Sequence, residues 1–149
     1  MQQKFFAQFD VPLREPPKPK GAALNLAITV GNMEIIKTLL DAGAYIDPSN
    51  GLRPLHWSIA LNKYEIVEYL IKRGADINAR CDTKNPVHVA AEKGHKEILE
   101  LLIDHNAIID PRAIHDAIQD ALQNRHFEIV KILLDTSAKL YPLRICSPL

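Results

Sequence analysis

Ile66-Val67-Glu68-Tyr69-Leu70-Ile71 is the stretch that decides the fold. Its apolar residues stand at i, i+1, i+4 and i+5, and at about 3.6 residues per turn those positions form one stripe along a helix. The same pattern returns at Ile35-Ile36 with Leu39-Leu40, at Ile98-Leu99 with Leu102-Ile103, and at Ile129-Val130 with Leu133-Leu134. The four starting positions are separated by 31, 32 and 31 residues. A self-similar period of about 20–50 residues marks a stacked repeat architecture. Such a stack presents an extended contact surface rather than a pocket built for chemistry.

The surroundings of each stripe repeat as well. An Ala-rich segment precedes it: Ala22 to Val30, Pro54 to Leu61, Pro86 to Lys93 and Ala117 to Asn124. Proline is tolerated in a first helical turn, where its missing N–H would have no partner anyway. Ala27, Ser58, Ala90 and Ala121 are small enough to let neighbouring helices approach closely. Glu34, Glu65, Glu97 and Glu128 fall in the first turn of the second helices, where a negative charge suits the helix dipole. Gly43 and Gly74 then suit a left-handed helix end; Asn106 can adopt that conformation, and Ser137 is the poorest of the four. The pattern predicts an all-α solenoid of four antiparallel helix pairs. The second helices are expected near 33–42, 64–73, 96–105 and 127–136, with their stripes buried.

On these residues the chain resembles the ankyrin-repeat family. Arg53-Pro54-Leu55-His56-Trp57-Ser58-Ile59 is similar to the Thr-Pro-Leu-His-Leu-Ala-Ala opening of an ankyrin repeat, and Gly74-Ala75-Asp76-Ile77-Asn78-Ala79 to its Gly-Ala-Asp-Val-Asn-Ala ending. Pro86-Val87-His88-Val89-Ala90-Ala91-Glu92-Lys93-Gly94-His95 matches again. The resemblance implies helix-turn-helix units joined by finger-like loops, stacked into a curved solenoid that binds proteins. It implies that His56 and His88 make hydrogen bonds tying neighbouring loops together. The first and fourth units lack the Pro and His of the opening motif, and Asp120 stands where the family has an apolar residue.

The chain then divides into a Phe/Pro-rich extension at 1–20, repeats at 21–48, 49–80, 81–111 and 112–142, and the opening of a fifth at 143–149. In the extension, the run Pro12, Pro16, Pro17 and Pro19 is expected to be extended and not helical. Phe5, Phe6 and Phe9 suit either a cap on the first repeat or a loose tail. Ser147-Pro148-Leu149 resembles the start of a further repeat, so the chain is expected to be the N-terminal part of a longer protein.

Balanced charge, with 18 acidic and 18 basic residues, lacks the electrostatic footprint of a nucleic-acid or anionic-membrane binder. Cys81 and Cys146 form no paired framework, which reads as reduced thiols in an intracellular, cytoplasmic or nuclear setting. No Gly-rich phosphate loop, paired-carboxylate constellation or nucleophile elbow stands out, so no enzyme, cofactor or metal is expected.

Trp57 reads equally as partial core and as an interface anchor. Leu52, Trp57 and Leu61 are expected on the concave side, flanked by Asn50, Asp82, Lys84, Glu92 and Lys93, with His115, Gln123 and Asn124 extending the groove. An apolar centre with a polar rim is the usual anatomy of a protein interface. The leading expectation is a monomeric module binding a protein or peptide through its fingers and concave face, with no nucleic acid, membrane or small-molecule substrate. A compact inhibitor of a kinase or transcription factor and a structural spacer within a longer protein are the competing readings.

Overall fold

Seven of the eight described helices end at a residue with positive φ, and those ends set the architecture. A computed structural model describes residues 19–48, 53–107 and 110–142. The expected roles of Phe5, Phe6 and Phe9, and of Ser147 to Leu149, lie outside the described residues. The described helices are α1 (Pro19–Val30), α2 (Met33–Asp41), α3 (Pro54–Ala60), α4 (Tyr64–Lys72), α5 (Pro86–Lys93), α6 (Lys96–Asp104), α7 (Pro111–Gln123) and α8 (Phe127–Leu140). They pair in chain order as four helical hairpins.

Between the two helices of each pair the chain turns through Gly31, Asn62, Gly94 or Arg125, all with positive φ. In each turn the following residue's N–H reaches back five residues, as in Lys63 to the Ser58 carbonyl (2.9 Å) and His126 to the Ala121 carbonyl (2.8 Å). Such bonds satisfy carbonyls that a helix end leaves open. The second helices close in the same way at Gly43, Gly74 and Asn106. Ser137 makes no such turn, and α8 continues through it to Leu140.

The hairpins stack in two rows, with α1, α3, α5 and α7 inside and α2, α4, α6 and α8 outside. Ala27, Ser58, Ala90 and Ala121 are buried along the inner row, which packs more closely than the outer row. Closer inner spacing makes the inner row and the loops beside it the concave side.

Three expectations need correction. Pro19 is not part of an extended run; it is the first residue of α1, a place where its lost N–H costs nothing. The fourth inner helix begins at Pro111 rather than Ala117, because Asp110 caps it by accepting from the Ala113 N–H at 2.6 Å. The stripes are also not uniformly covered. Ile66, Val67, Leu70, Ile98, Leu99 and Leu102 are buried, whereas Ile35 and Leu134 are exposed at the two ends of the stack. A stripe needs a neighbour on both sides.

Leu70 is fully buried in the middle of the stack. Leu70→Ala is expected to cost about 2–5 kcal/mol in denaturant unfolding, with the loss spreading to adjacent units through their shared joints. Gly74 and Gly94 offer a sharper comparison. Both have positive φ, but a β-carbon on Gly74 meets nothing within 4 Å, whereas one on Gly94 comes within 2.5 Å of the His126 ring. Ala at either site bears the left-handed cost of about 1–2 kcal/mol. Gly94→Ala is expected to be clearly the more destabilising, and equal losses would refute a close Gly94–His126 contact.

Candidate functional site

The concave side is built from loops tied to one another. Asp47, in the loop after α2, accepts from the Asp76 N–H in the next loop at 2.9 Å. Arg53 donates from Nε to the Arg80 carbonyl at 3.2 Å, and its guanidinium lies 3.8 Å from the Asp47 carboxylate. At the tip of the second loop, Cys81 and Lys84 exchange backbone hydrogen bonds of 2.9 and 3.1 Å around Asp82, which has positive φ. The tip is thus a short hairpin held by its own backbone. Asn85 then caps α5 by accepting from the His88 N–H at 2.9 Å.

His56 joins this network from α3. Its Nε2 lies 3.2 Å from the Lys84 carbonyl. A carbonyl only accepts, so Nε2 donates in this contact. Nδ1 is buried, and the Ala79 backbone acts on the ring as a second hydrogen-bonding group. This is the loop-tying role expected of His56.

His88, its equivalent in the next unit, is arranged differently. Its Nδ1 lies 2.9 Å from Asn85 Oδ1, which already accepts from the His88 N–H, so here Nδ1 carries the proton. This hydrogen bond of His88 lies within its own unit. Asp116 and Asp120, both on α7, act on His88 as nearby negative charges.

Burial pushes both imidazoles below the ordinary histidine value. For His56 desolvation is the largest cause, opposed by the Lys84 carbonyl and reinforced by the nearby Arg53 charge. For His88 desolvation again leads, opposed by Asp116 and Asp120.

The expected binding residues fall into distinct settings. Trp57 is half-buried and donates its indole N–H to Thr29 Oγ1 at 2.8 Å, which fixes the ring against the first unit. Leu61 is half-buried and packs against the core. Lys84 and Glu92 form an ion pair with each other, joining the finger to α5. Asp82 and Lys93 are exposed. His115 lies exposed on the early turns of α7, and Gln123 and Asn124 are exposed at its end, where the Asn124 amide donates to the Asp120 carbonyl at 2.8 Å. Asn50 and Leu52 lie outside the described residues.

Arg53, Asp47 and Asp116 belong to the same face and were not singled out from the sequence. Their signal is weak, because their partners lie about one repeat away or in a helix that starts earlier than its motif. Asp120 does not disrupt α7, which still buries Ala113, Ile114, Ala117 and Ala121. Among the described residues no three His, Cys, Asp or Glu side chains gather as a metal site would require, and no helix is long and apolar enough to cross a membrane.

The lowered His56 value fixes the sign of a pH effect. Below about pH 6.5 the unfolded chain binds a proton that the folded chain resists, so stability is full above that value and declines as pH falls towards the folded value. His88 acts in the same direction. The thermal midpoint is expected to drop between about pH 7 and about pH 5.5. His56→Asn should lower it at neutral pH yet flatten the decline, and an unchanged slope would remove His56 as its source.

Comparison with known proteins follows the same repeat. A family model described as ankyrin repeats (3 copies) matches residues 7–81 and 78–142. A transient receptor potential cation channel subfamily A member 1 homolog from Caenorhabditis elegans is 32% identical over 119 residues, covering 77% of this chain and 10% of that protein. The target of rapamycin complex 2 subunit AVO2 from Saccharomyces cerevisiae is 31% identical over 156 residues, covering 90% of this chain and 35% of that protein. The human ankyrin repeat and KH domain-containing protein 1 is 35% identical over 98 residues, covering 62% of this chain and 4% of that protein. The chain thus spans far less than two thirds of these relatives. What they share with it is the repeat.

Proposed function

The chain belongs to the ankyrin-repeat family, and from that premise we propose that it is a non-catalytic module that binds another protein or peptide through its finger loops and concave inner face, in a cytoplasmic or nuclear setting. One observation carries the reading. The fingers are clipped together by Asp47 to Asp76, Arg53 to Arg80 and His56 to Lys84, while Asp82 and Lys93 beside them stay exposed. A surface held rigid before contact loses little conformational entropy on binding, and this preorganisation is where affinity is gained.

The relatives' names point to different proteins, among them a cation channel homolog, a complex subunit and a KH-domain protein. That variety supports a shared contact scaffold more than a shared reaction. The chain's small share of their length favours, as a second reading, a structural spacer within a longer protein. Nothing in the geometry favours the compact inhibitor.

Leu61 packs against the core, so a charge there would disturb folding as well as binding. Asp82→Lys combined with Lys93→Glu is the cleaner test, since both residues are exposed. Captured partners from the native cell extract should be lost by at least tenfold with this double variant, about 1.4 kcal/mol or more. Glu68→Lys on the outer row should capture normally; it loses only a surface ion pair to Lys72 at 3.3 Å. Equal capture by the double variant and the wild type would refute the proposed face, and capture of nothing by any variant would favour the spacer.

A further inference from the structure

The concave face changes character along the stack. Ser58, Ala90 and Ala121 hold equivalent places in α3, α5 and α7, and the residues just before them are Trp57, Val89 and Asp120. Trp57 and Val89 are half-buried and pack against the core, so the middle of this column is apolar. In the fourth unit the column turns acidic, and Asp116 stands one helical turn before Asp120 on the same side of α7. Neither carboxylate has an ion-pair partner among the described residues.

His88 is an independent pointer to the same place. It lies on α5, which packs against α7, and is only 8% exposed. Its Nδ1 is held 2.9 Å from Asn85 Oδ1, and its Nε2, on the far edge of the ring, has no hydrogen-bond partner among the described residues. A neutral imidazole protonated at Nδ1 offers Nε2 as an acceptor. The charges acting on this ring are, strongest first, Asp116, Asp120, Arg80 and Lys84, and Lys84 is already paired with Glu92. Two carboxylates and an imidazole nitrogen therefore gather as acceptors in want of a donor. They are too dispersed for a metal, since among the described residues no three His, Cys, Asp or Glu side chains gather as a metal site would require. A guanidinium suits them: it is planar, always charged, rich in N–H donors and free of acceptors, and it spans several oxygens at once.

We infer that this face takes an extended peptide segment whose arginine lies over Asp116, Asp120 and His88, and whose apolar side chain lies over Val89 and Trp57. The inference rests on the concave face being the binding face and adds the chemistry of the partner. Packed helices stand about 8–10 Å apart, and an extended chain rises about 3.3 Å per residue. The apolar residue therefore sits about three places from the arginine where it covers Val89, and about six where it covers Trp57.

Selection from a phage-displayed library of random peptides, long enough to span both anchors, tests this on the wild type and on the Asp116→Asn, Asp120→Asn double variant. Both substitutions preserve side-chain size, and circular dichroism confirms that the variant is folded. Peptides selected on the wild type are expected to carry an arginine about three or about six places from an apolar residue. Arginine should lose its enrichment on the variant. Exchanging the arginine of a selected peptide for citrulline, its neutral isostere, should weaken binding to the wild type by about tenfold or more and leave binding to the variant unchanged. Selected peptides without enriched arginine, or the same arginine-bearing peptides selected equally by the variant, overturn the inference. So does a selection that yields no peptide. Capture with the Asp82→Lys, Lys93→Glu variant reads the concave face separately, so a partner lost there but retained by the Asn variant leaves the binding face standing and sinks only the arginine site.

Discussion

Every other feature of this chain depends on the joint between neighbouring units. A single helical hairpin cannot bury a stripe such as Ile66-Val67-Leu70-Ile71, because each hairpin covers only one side of it. The second side is supplied by the next unit, and the central stripes become core as a result. Apolar burial contributes about 25 cal/mol per Å² removed from water, so energy accumulates joint by joint rather than in one central core. Ile35 and Leu134, of the same residue types in the same stripe, are exposed in the first and fourth units.

The inner row carries the consequences for binding. Small residues at Ala27, Ser58, Ala90 and Ala121 draw the inner helices together, and the loops beside them come close enough to hydrogen-bond. Ser58 keeps its hydroxyl satisfied by donating to the Leu55 carbonyl at 2.8 Å, so a polar residue is tolerated in that packed row. Where a finger is available, His56 reaches across to it. His88 instead bonds Asn85 of its own unit and feels the charges of Asp116 and Asp120. The same residue in the same motif thus bonds through different ring nitrogens to different partners.

The helices were legible from local signals. Stripe period, first-turn glutamates and left-handed glycines each act within one or two turns of chain, so their effect on the backbone can be read without neighbours. The family was legible in the Pro-Leu-His and Gly-Ala-Asp strings for the same reason. The candidate face was legible in outline only. Trp57 read equally as core and as contact, and Lys84 and Glu92 as rim residues; their partners, Thr29 for Trp57 and Glu92 for Lys84, are visible only in the fold.

The sequence by itself determined that this chain is a stack of helical hairpins, because helix formation and helix ending depend on residues a few positions apart. Only the tertiary structure decided that Ile66 is core while Ile35 is exposed, that His56 reaches Lys84 while His88 reaches Asn85, and that α7 begins at Pro111. Those outcomes depend on what lies about one repeat away in the chain and a few ångströms away in space. Burial and hydrogen bonding are settled by that second distance.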